Sequence, residues 1–210
     1  AEACARNGID PVAQTIPVAC AAHYHMGGVA TGMEGSASLN GLWVCGEAAS
    51  TGLHGANRLA SNGLLEAVVY ARLAARDISR KVPEAPDPAD VPPIEIDFRG
   101  AGTDIYSSEN MQALRDIMTN KVGVLRDEAG LKAALAEIAR LEASEAGSIT
   151  FANMCATATL ITAAALVRRE SRGGHYRTDF PETDPTRATR SRMTLSEALE
   201  IRAAAVKELT

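Results

Sequence analysis

The chain has 210 residues, of which 46% are hydrophobic and 22% are charged. This balance supports a packed core and excludes a wholly disordered chain. The net charge of -5 at pH 7 argues against the basic surface of a nucleic-acid binder, and we expect no nucleic-acid partner. We also expect no membrane partner, because the most apolar stretch, residues 151–167, is shorter than the ~20 residues of a bilayer span.

The four cysteines have no CxxC spacing and lie in alanine- or valine-rich surroundings: they are Cys4, Cys20, Cys45 and Cys155. This pattern predicts buried, reduced thiols in a cytoplasmic protein rather than a disulfide framework. Cys20 is followed by His23 and His25, but this spacing is not that of a zinc site. We therefore expect no metal.

The first 80 residues are rich in glycine and alanine. Residues 27–32 predict a strand entered through two glycines, and the apolar residues 42–45 predict a short buried strand. Residues 61–79 predict a helix that Ser61 or Asn62 can cap. Its expected buried stripe consists of six apolar residues: Leu64, Leu65, Val68, Val69, Leu73 and Ile78.

Residues 81–105 contain five prolines, and six acidic against two basic side chains, which predicts an extended linker. Residues 106–210 show four helical patterns, the last of them after the capping box Thr194-x-x-Glu197. The third pattern, residues 154–167, is apolar almost all round and is expected at the centre. Antiparallel packing of three helices around this core is the economical arrangement.

Residues 46–66 combine features that favour an anion site. A predicted strand is followed by a glycine-rich loop, then by Arg58, and then by the start of a helix. Backbone N–H groups at a helix start attract negative charge, and a guanidinium matches a carboxylate or phosphate. From these residues alone, we favour a structural glycine-rich turn with a surface arginine, and an anion site is the alternative.

Two segments carry a family resemblance: AAHYHMGGV (21–29) and GLWVCGEAASTGLHGANRLASNGLLE (41–66). Both resemble L-aspartate oxidases, within the wider succinate dehydrogenase and fumarate reductase flavoprotein family. The HY-x-MGG and HGANR-x-x-x-N elements are shared across that family. The sequence TGLHGANRLASN resembles L-aspartate oxidases more than the respiratory enzymes of the family. Residues 170–181 also resemble the C-terminal region of the family.

The resemblance implies roles for individual residues. It assigns His23 and Arg58 to binding of a dicarboxylate substrate at the catalytic site. It assigns flavin contacts to six residues: Glu47, Asn62, Gly63, Leu64, Gly27 and Gly28. The family usually has serine where Gly63 stands, so a hydroxyl contact is lost there.

The resemblance also includes residues to which it assigns no specific contact. Thr51 and His54 are expected near the site. Ser171, Arg172 and His175 belong to a motif for which we favour a structural contact between domains. A return of this motif toward the active site is the alternative.

The implied activity is FAD-dependent oxidation of L-aspartate to iminoaspartate in NAD biosynthesis, with oxygen or fumarate reoxidising the flavin. A quinolinate-pathway enzyme is a candidate partner. The alternatives are a fumarate reductase or succinate dehydrogenase flavoprotein and, for the isolated chain, a non-enzymatic helical interaction module.

The GxGxxG fingerprint that holds the FAD pyrophosphate does not occur in the sequence. We therefore expect a C-terminal piece of the enzyme that alone binds FAD weakly or not at all and does not oxidise aspartate. The expected fold class is α+β. Residues 1–80 form an incomplete FAD-domain and capping-domain segment, residues 81–105 a linker, and residues 106–210 a three-helix-bundle-like domain.

Overall fold

The computed structural model describes residues 2–18, 23–82 and 104–209. Within these residues, six helices and two short strands are joined by loops and two 3-10 turns, Gly46–Ala48 and Pro185–Arg187. The elements are α1 Glu2–Arg6, β1 Val29–Ala30, β2 Ala49–Ser50, α2 Asn62–Lys81, α3 Ser108–Lys121, α4 Glu128–Ser144, α5 Ile149–Val167 and α6 Leu195–Leu209. Most of the predicted linker lies outside the described residues.

The second half of the chain is a helical unit, as predicted. Helix α5 packs against α3, α4 and α6, which places the most apolar helix at the centre. Four helices take part, rather than the expected three, because α3 and α6 both pack against the central pair of α4 and α5. Fully buried side chains form the core, among them Leu131, Leu135, Ile138, Phe151 and Cys155.

The helix starts of this unit are capped as their sequences indicate. Asp127 Oδ1 accepts a hydrogen bond from the Gly130 N–H at 2.7 Å, at the start of α4. The predicted capping box at α6 is confirmed: the Thr194 N–H donates to Glu197 Oε2 at 2.6 Å, and the Glu197 N–H donates to Thr194 Oγ1 at 3.3 Å. Such caps satisfy N–H groups that have no acceptor within the helix.

Helix α5 is the one helix of the described chain with the length and hydropathy of a membrane span. It extends over 19 residues, more than the apolar window seen in the sequence. Seven of these residues are buried, and the helix packs against three neighbours in the bundle. Its apolar character is therefore accounted for by its central place in the core.

The strands of the first unit are shorter than predicted. Residues 27–32 form a strand only at Val29–Ala30. The strand predicted at 42–45 is wrong, because Trp43 makes only an isolated bridge with Ser36 and Cys45 is exposed. The Trp43 indole donates instead to Asp77 Oδ2 at 2.9 Å, which draws this segment onto α2.

Helix α2 forms where predicted, but the buried stripe expected on it is wrong. The described structure buries its opposite face, which consists of Glu66, Tyr70, Ala74 and Asp77. This face packs on the 3-10 turn at 46–48, while no described element covers the apolar side. The relative exposures of that side are Leu64 85%, Leu65 59%, Val68 68%, Val69 45% and Ile78 38%, whereas Leu73 is half-buried.

The cysteine prediction holds for one residue and fails for another. Cys155 is buried in the bundle, and burial raises the pKa of its thiol to about 11, which keeps it protonated. Cys45 is exposed because the strand expected around it does not form, and Cys4 is half-buried. Cys20 lies outside the described residues.

Candidate functional site

Two short parallel strands form the framework of the candidate site. Strand β1 pairs with β2 so that Val29 lies opposite Ala49. A Cβ atom on Gly28 would lie 2.3 Å from the carbonyl oxygen of Ala48, and the φ of Gly28 is +118°. A larger residue would push the strands apart and strain the backbone. Packing of the framework itself therefore requires Gly28.

The segment that carries His23 is tied to the 3-10 turn at 46–48. The backbone N–H of His25 donates to Glu47 Oε1 at 2.8 Å. Glu47 is exposed, so its carboxylate can accept further hydrogen bonds. Gly27 has φ +117°, and no described atom lies within 4 Å of the position its Cβ would take. The backbone beside Gly27 can therefore be approached closely.

A buried polar cluster lies on the inner face of α2, centred on Glu66, whose side chain is 1% exposed. Thr51 Oγ1 donates to Glu66 Oε1 at 2.5 Å, and the Tyr24 hydroxyl donates to Oε2 at 3.2 Å. His54 Nε2 lies 2.9 Å from the same Oε2. Because an ionised carboxylate only accepts hydrogen bonds, His54 carries a proton on Nε2. These four residues form the Glu66 cluster.

The cluster keeps Glu66 ionised although it is buried. Burial alone would raise its pKa, but hydrogen bonds from Thr51, Tyr24 and His54 outweigh this and lower the pKa of Glu66. Burial and the hydrogen bond to Glu66 raise the pKa of Tyr24, so its phenol remains a donor. His54 Nδ1 is buried and has no hydrogen-bond partner within the described part of the chain.

Arg58 lies over the face of the Tyr24 ring. Its Cζ atom is 5.1 Å from the ring centroid, which is within the range of a cation–π interaction. The same ring meets His54 edge-on, with centroids 5.3 Å apart. Within residues 2–18, 23–82 and 104–209, no carboxylate forms a salt bridge with Arg58. Its guanidinium is positioned by an aromatic ring and keeps donors for an anion.

The start of α2 lies beside Arg58. A Cβ atom on Gly63 would lie 3.2 Å from Tyr24 Cε2 and 3.8 Å from Arg58 Nη1, so Gly63 leaves room for both side chains. The predicted cap is wrong: Ser61 has the left-handed φ of 62° and caps no N–H with its side chain. Asn62 Nδ2 donates to the Ala60 carbonyl instead. Among the described residues, no side chain therefore caps the first turn of α2.

The structure brings most of the predicted residues into one region. Arg58 and Gly63 both lie beside Tyr24, and Thr51 and His54 belong to the Glu66 cluster. His23 is exposed and precedes Tyr24 in the chain. Leu64 is exposed at the start of α2.

Sequence reasoning missed Tyr24 and Glu66. The sequence offered one signal for Glu66: it is an acidic residue that directly follows two leucines within the predicted helix.

The motif of Ser171, Arg172 and His175 makes structural contacts. Arg172 pairs with buried Glu170 at 3.0 Å, and its hydrogen bonds hold the pKa of Glu170 at about 2. The turn that follows Arg172 also reaches the first unit, where the Gly174 N–H donates to the Ala56 carbonyl at 3.0 Å. A contact between the two units is thus observed, and it lies two residues before Arg58 in the sequence. The role of the motif stays a prediction.

A cavity of about 630 Å³ lies between the first unit and the helical unit. His25 and Met26 form part of its wall, and three arginines line the other side. These are Arg168, Arg187 and Arg192. The cavity places positive charge beside the segment that carries His23.

Two family models match the chain. A model described as fumarate reductase flavoprotein C-term covers residues 111–152 and 145–208. A model described as FAD binding domain covers residues 1–64, including the start of α2. The fold and the site therefore define the class as a flavoprotein of the fumarate reductase type.

Curated relatives narrow the class. An L-aspartate oxidase of Rhodospirillum rubrum is 49% identical over 189 residues, which span 90% of this chain and 67% of the relative. An L-aspartate oxidase of Caulobacter vibrioides is 49% identical over 185 residues, which span 88% of this chain and 34% of the relative. The chain belongs to the L-aspartate oxidase family, although it spans only about a third of the length of several relatives.

Solved structures agree with this class. A variant of E. coli quinol fumarate reductase FrdA is 27% identical and has a TM-score of 0.62, covering 89% of this chain and 36% of its own. The Mycobacterium smegmatis Sdh1 complex is 28% identical with a TM-score of 0.64, covering 79% and 32%. The helical unit and the framework strands thus belong to a known flavoprotein architecture.

Proposed function

We propose that this chain, within its full-length protein, supplies part of the active site of an FAD-dependent oxidase that converts L-aspartate to iminoaspartate in NAD biosynthesis. The protein works in the cytoplasm, and oxygen or fumarate takes the electrons. The single observation that carries the proposal is Arg58, which is held against Tyr24 without a carboxylate partner in the described structure. Relatives 49% identical and named L-aspartate oxidase support the choice of substrate.

Arg58 and His23 are the proposed substrate-binding pair. L-Aspartate carries two carboxylates, and a guanidinium can bind one of them through two parallel hydrogen bonds. His23 then donates to a second carboxylate oxygen. Holding both ends of the substrate orients its Cα–H bond, and orientation of this kind supplies a large part of enzymatic rate enhancement.

The Glu66 cluster supports this pair. Glu66 fixes the Tyr24 hydroxyl and the His54 ring, and the Tyr24 ring lies beneath Arg58. Preorganisation of the guanidinium means that less conformational entropy is lost when the substrate binds. The sequence position of His23, next to Tyr24, links it to the same support.

The residues present fit an FAD. The uncapped first turn of α2 supplies N–H donors, and the open backbone at Gly27 allows a flat ring to approach. Asn62, Gly63 and Leu64 would hold one side of the ring system. Gly27 and Gly28 would lie beside it, and Glu47 would bind the sugar side.

A flavin held by these residues would supply the acceptor for the hydride. The positive end of the α2 dipole favours the negative charge that accompanies reduction.

The test is Arg58→Ala in the full-length protein, with Arg140→Ala on the exposed face of α4 as the matched control. We expect Arg58→Ala to reduce kcat/KM for L-aspartate by about 100-fold or more, because a hydrogen-bonded charge partner is lost. Flavin content, read from the visible absorption spectrum, stays at the wild-type level.

Arg58→Lys keeps the positive charge but removes the planar guanidinium with its paired donors. We expect this variant to recover only part of the kcat/KM that Arg58→Ala loses. Unchanged kinetics in Arg58→Ala would show that the residue is misassigned. Flavin reduction by succinate but not by L-aspartate would replace the proposal with a succinate dehydrogenase or fumarate reductase.

A further inference from the structure

A tight turn of the helical unit touches the loop that carries Arg58. Arg172 and His175 pair across this turn, with reciprocal backbone hydrogen bonds of 2.8 and 3.0 Å. Gly173 and Gly174 form its tip. The Gly174 N–H donates to the Ala56 carbonyl, two residues before Arg58 in the sequence.

Gly173 is required at this contact for two separate reasons. Its φ of +58° lies in the left-handed region, which disfavours other residues. A Cβ atom there would also lie 2.2 Å from the Ala56 carbonyl oxygen and 2.5 Å from its carbonyl carbon. Because both atoms belong to the backbone, no side-chain rotation can relieve the overlap. A side chain at 173 must displace the turn or the loop.

The helical unit holds the turn firmly. The Arg177 N–H donates to Ser171 Oγ at 2.9 Å, and that hydroxyl donates to the Phe180 carbonyl at 2.9 Å. His175 accepts a hydrogen bond from Arg126 Nη1 at 2.7 Å on one side of its ring. With Arg172 paired to buried Glu170, the turn is anchored on several sides. The loop at Ala56 is therefore the part that must yield.

A second contact holds the other end of the same loop. Arg190 Nη1 donates to the Ser50 carbonyl at 2.9 Å. A Cβ atom on Gly52 would lie 3.5 Å from Arg190 Cζ. The helical unit thus touches the loop 50–58 near both its beginning and its end. Thr51 and His54 of the Glu66 cluster lie between these two contacts.

We propose that the turn 172–175, together with Arg190, positions the loop 50–58 for substrate binding, with Gly173 and Gly174 setting the location of the end that presents Arg58. This proposal rests on the proposed role of Arg58 in binding the dicarboxylate substrate. The turn acts through Ala56 and is a positioning element, not a catalytic group. The helical unit thereby determines how well the site fits its substrate.

The test compares Gly173→Ala with Gly147→Ala in the full-length protein. Gly147 also has a positive φ, +105°, but nothing described lies within 4 Å of its Cβ position. Gly147→Ala therefore also places a side chain at a positive φ, but without the overlap. We expect KM for L-aspartate to rise about tenfold or more in Gly173→Ala alone, since a misplacement on the order of 1 Å can cost 100-fold. Flavin content is expected to stay unchanged.

Hydrogen exchange supplies a readout besides activity. In Gly173→Ala, we expect faster amide exchange in peptides covering residues 50–58, with no change in Gly147→Ala. If wild-type protein does not oxidise L-aspartate, the proposed function fails, while faster exchange in Gly173→Ala would still establish the contact between the turn and the loop. Wild-type KM together with wild-type exchange in Gly173→Ala would overturn the positioning role.

Arg190→Ala keeps the test decisive if Gly173→Ala does not fold. Arg190 is exposed, so its truncation is expected to leave the fold intact. We expect the same direction of change in KM and in exchange at 50–58, with a smaller amplitude, because only one hydrogen bond is removed. An unchanged KM and unchanged exchange in a folded Arg190→Ala would count against the proposal.

Discussion

The packed core between α4 and α5 and the inner face of α2 differ in the side chains at their centres. The helical unit encloses apolar residues such as Leu135 and Ile138, both at 0% exposure. Helix α2 of the first unit buries Glu66 and Asp77 and exposes Leu64. In the first case the burial of apolar area stabilises the fold. In the second, hydrogen bonds to buried carboxylates hold the neighbouring segments in place.

Matched leucine substitutions test this contrast and carry the largest expected effect. Leu135→Ala should cost about 2 to 5 kcal/mol, because it leaves a cavity in a packed core. Leu64→Ala, which removes the same atoms from an exposed helix face, should stay within about 0.5 kcal/mol. Chemical denaturation of the chain followed by circular dichroism measures both. A comparable loss in Leu64→Ala would mean that the outer face of α2 is covered in solution.

Glu66→Gln tests the polar half of the comparison. The amide keeps the size of the side chain but presents an NH2 group where three donors converge. We expect a loss of about 1 to 3 kcal/mol in local stability, since a buried donor is left unsatisfied. Native-state hydrogen exchange in peptides covering residues 50–70 measures this loss. Glu200→Gln, on an exposed position of α6, is the control and should leave exchange unaltered.

His175 gives the smallest expected effect and a definite sign with pH. Burial, followed by the charges of Arg126 and Arg177, lowers its pKa. His175 Nδ1 accepts a hydrogen bond from Arg126, and Nε2 donates to the Arg168 carbonyl. Protonation of Nδ1 would therefore place an N–H group of His175 against an N–H group of Arg126. Because the folded pKa lies below the unfolded value of about 6.5, the unfolded chain binds the proton more tightly.

Stability of the helical unit should therefore be complete above about pH 6.5 and decrease as the pH falls below it, by less than about 1.4 kcal/mol per pH unit. Denaturation midpoints between pH 8 and pH 5 measure this slope. His175→Gln can offer an acceptor to Arg126 and a donor to the Arg168 carbonyl without titrating. The unfolding free energy of His175→Gln should therefore change less with pH than that of the wild type. An equal change in the two proteins would assign the pH dependence to another group.

Sequence patterns predicted the helices well and the burial on α2 poorly. Spacing of apolar residues located α3 to α6 and the capping box at Thr194, because each pattern reflects local periodicity and local hydrogen bonds. The same reasoning placed Leu64 and Val68 inside, since it supposed that an apolar stripe always finds a partner. Within the described chain, α2 meets its neighbours through Glu66 and Asp77 instead.

The candidate site divides in the same way. The resemblance led to His23 and Arg58 and to the residues around them. The chain's membership of the flavoprotein family is confirmed. Their individual roles stay predictions. Glu66 was missed because its role depends on three hydrogen bonds, which come from residues 12 to 42 positions away in the sequence. No local pattern records such distances.

The sequence by itself determined the family, the order of the helices and the location of the Arg58 loop, since these follow from local motifs and periodicity. Only the tertiary structure decided which face of α2 is buried and which side chains support Arg58. It also showed that Gly173 meets Ala56 across 117 positions of the chain. Contacts of this kind depend on how separate elements pack, so their physical cause is absent from any single segment.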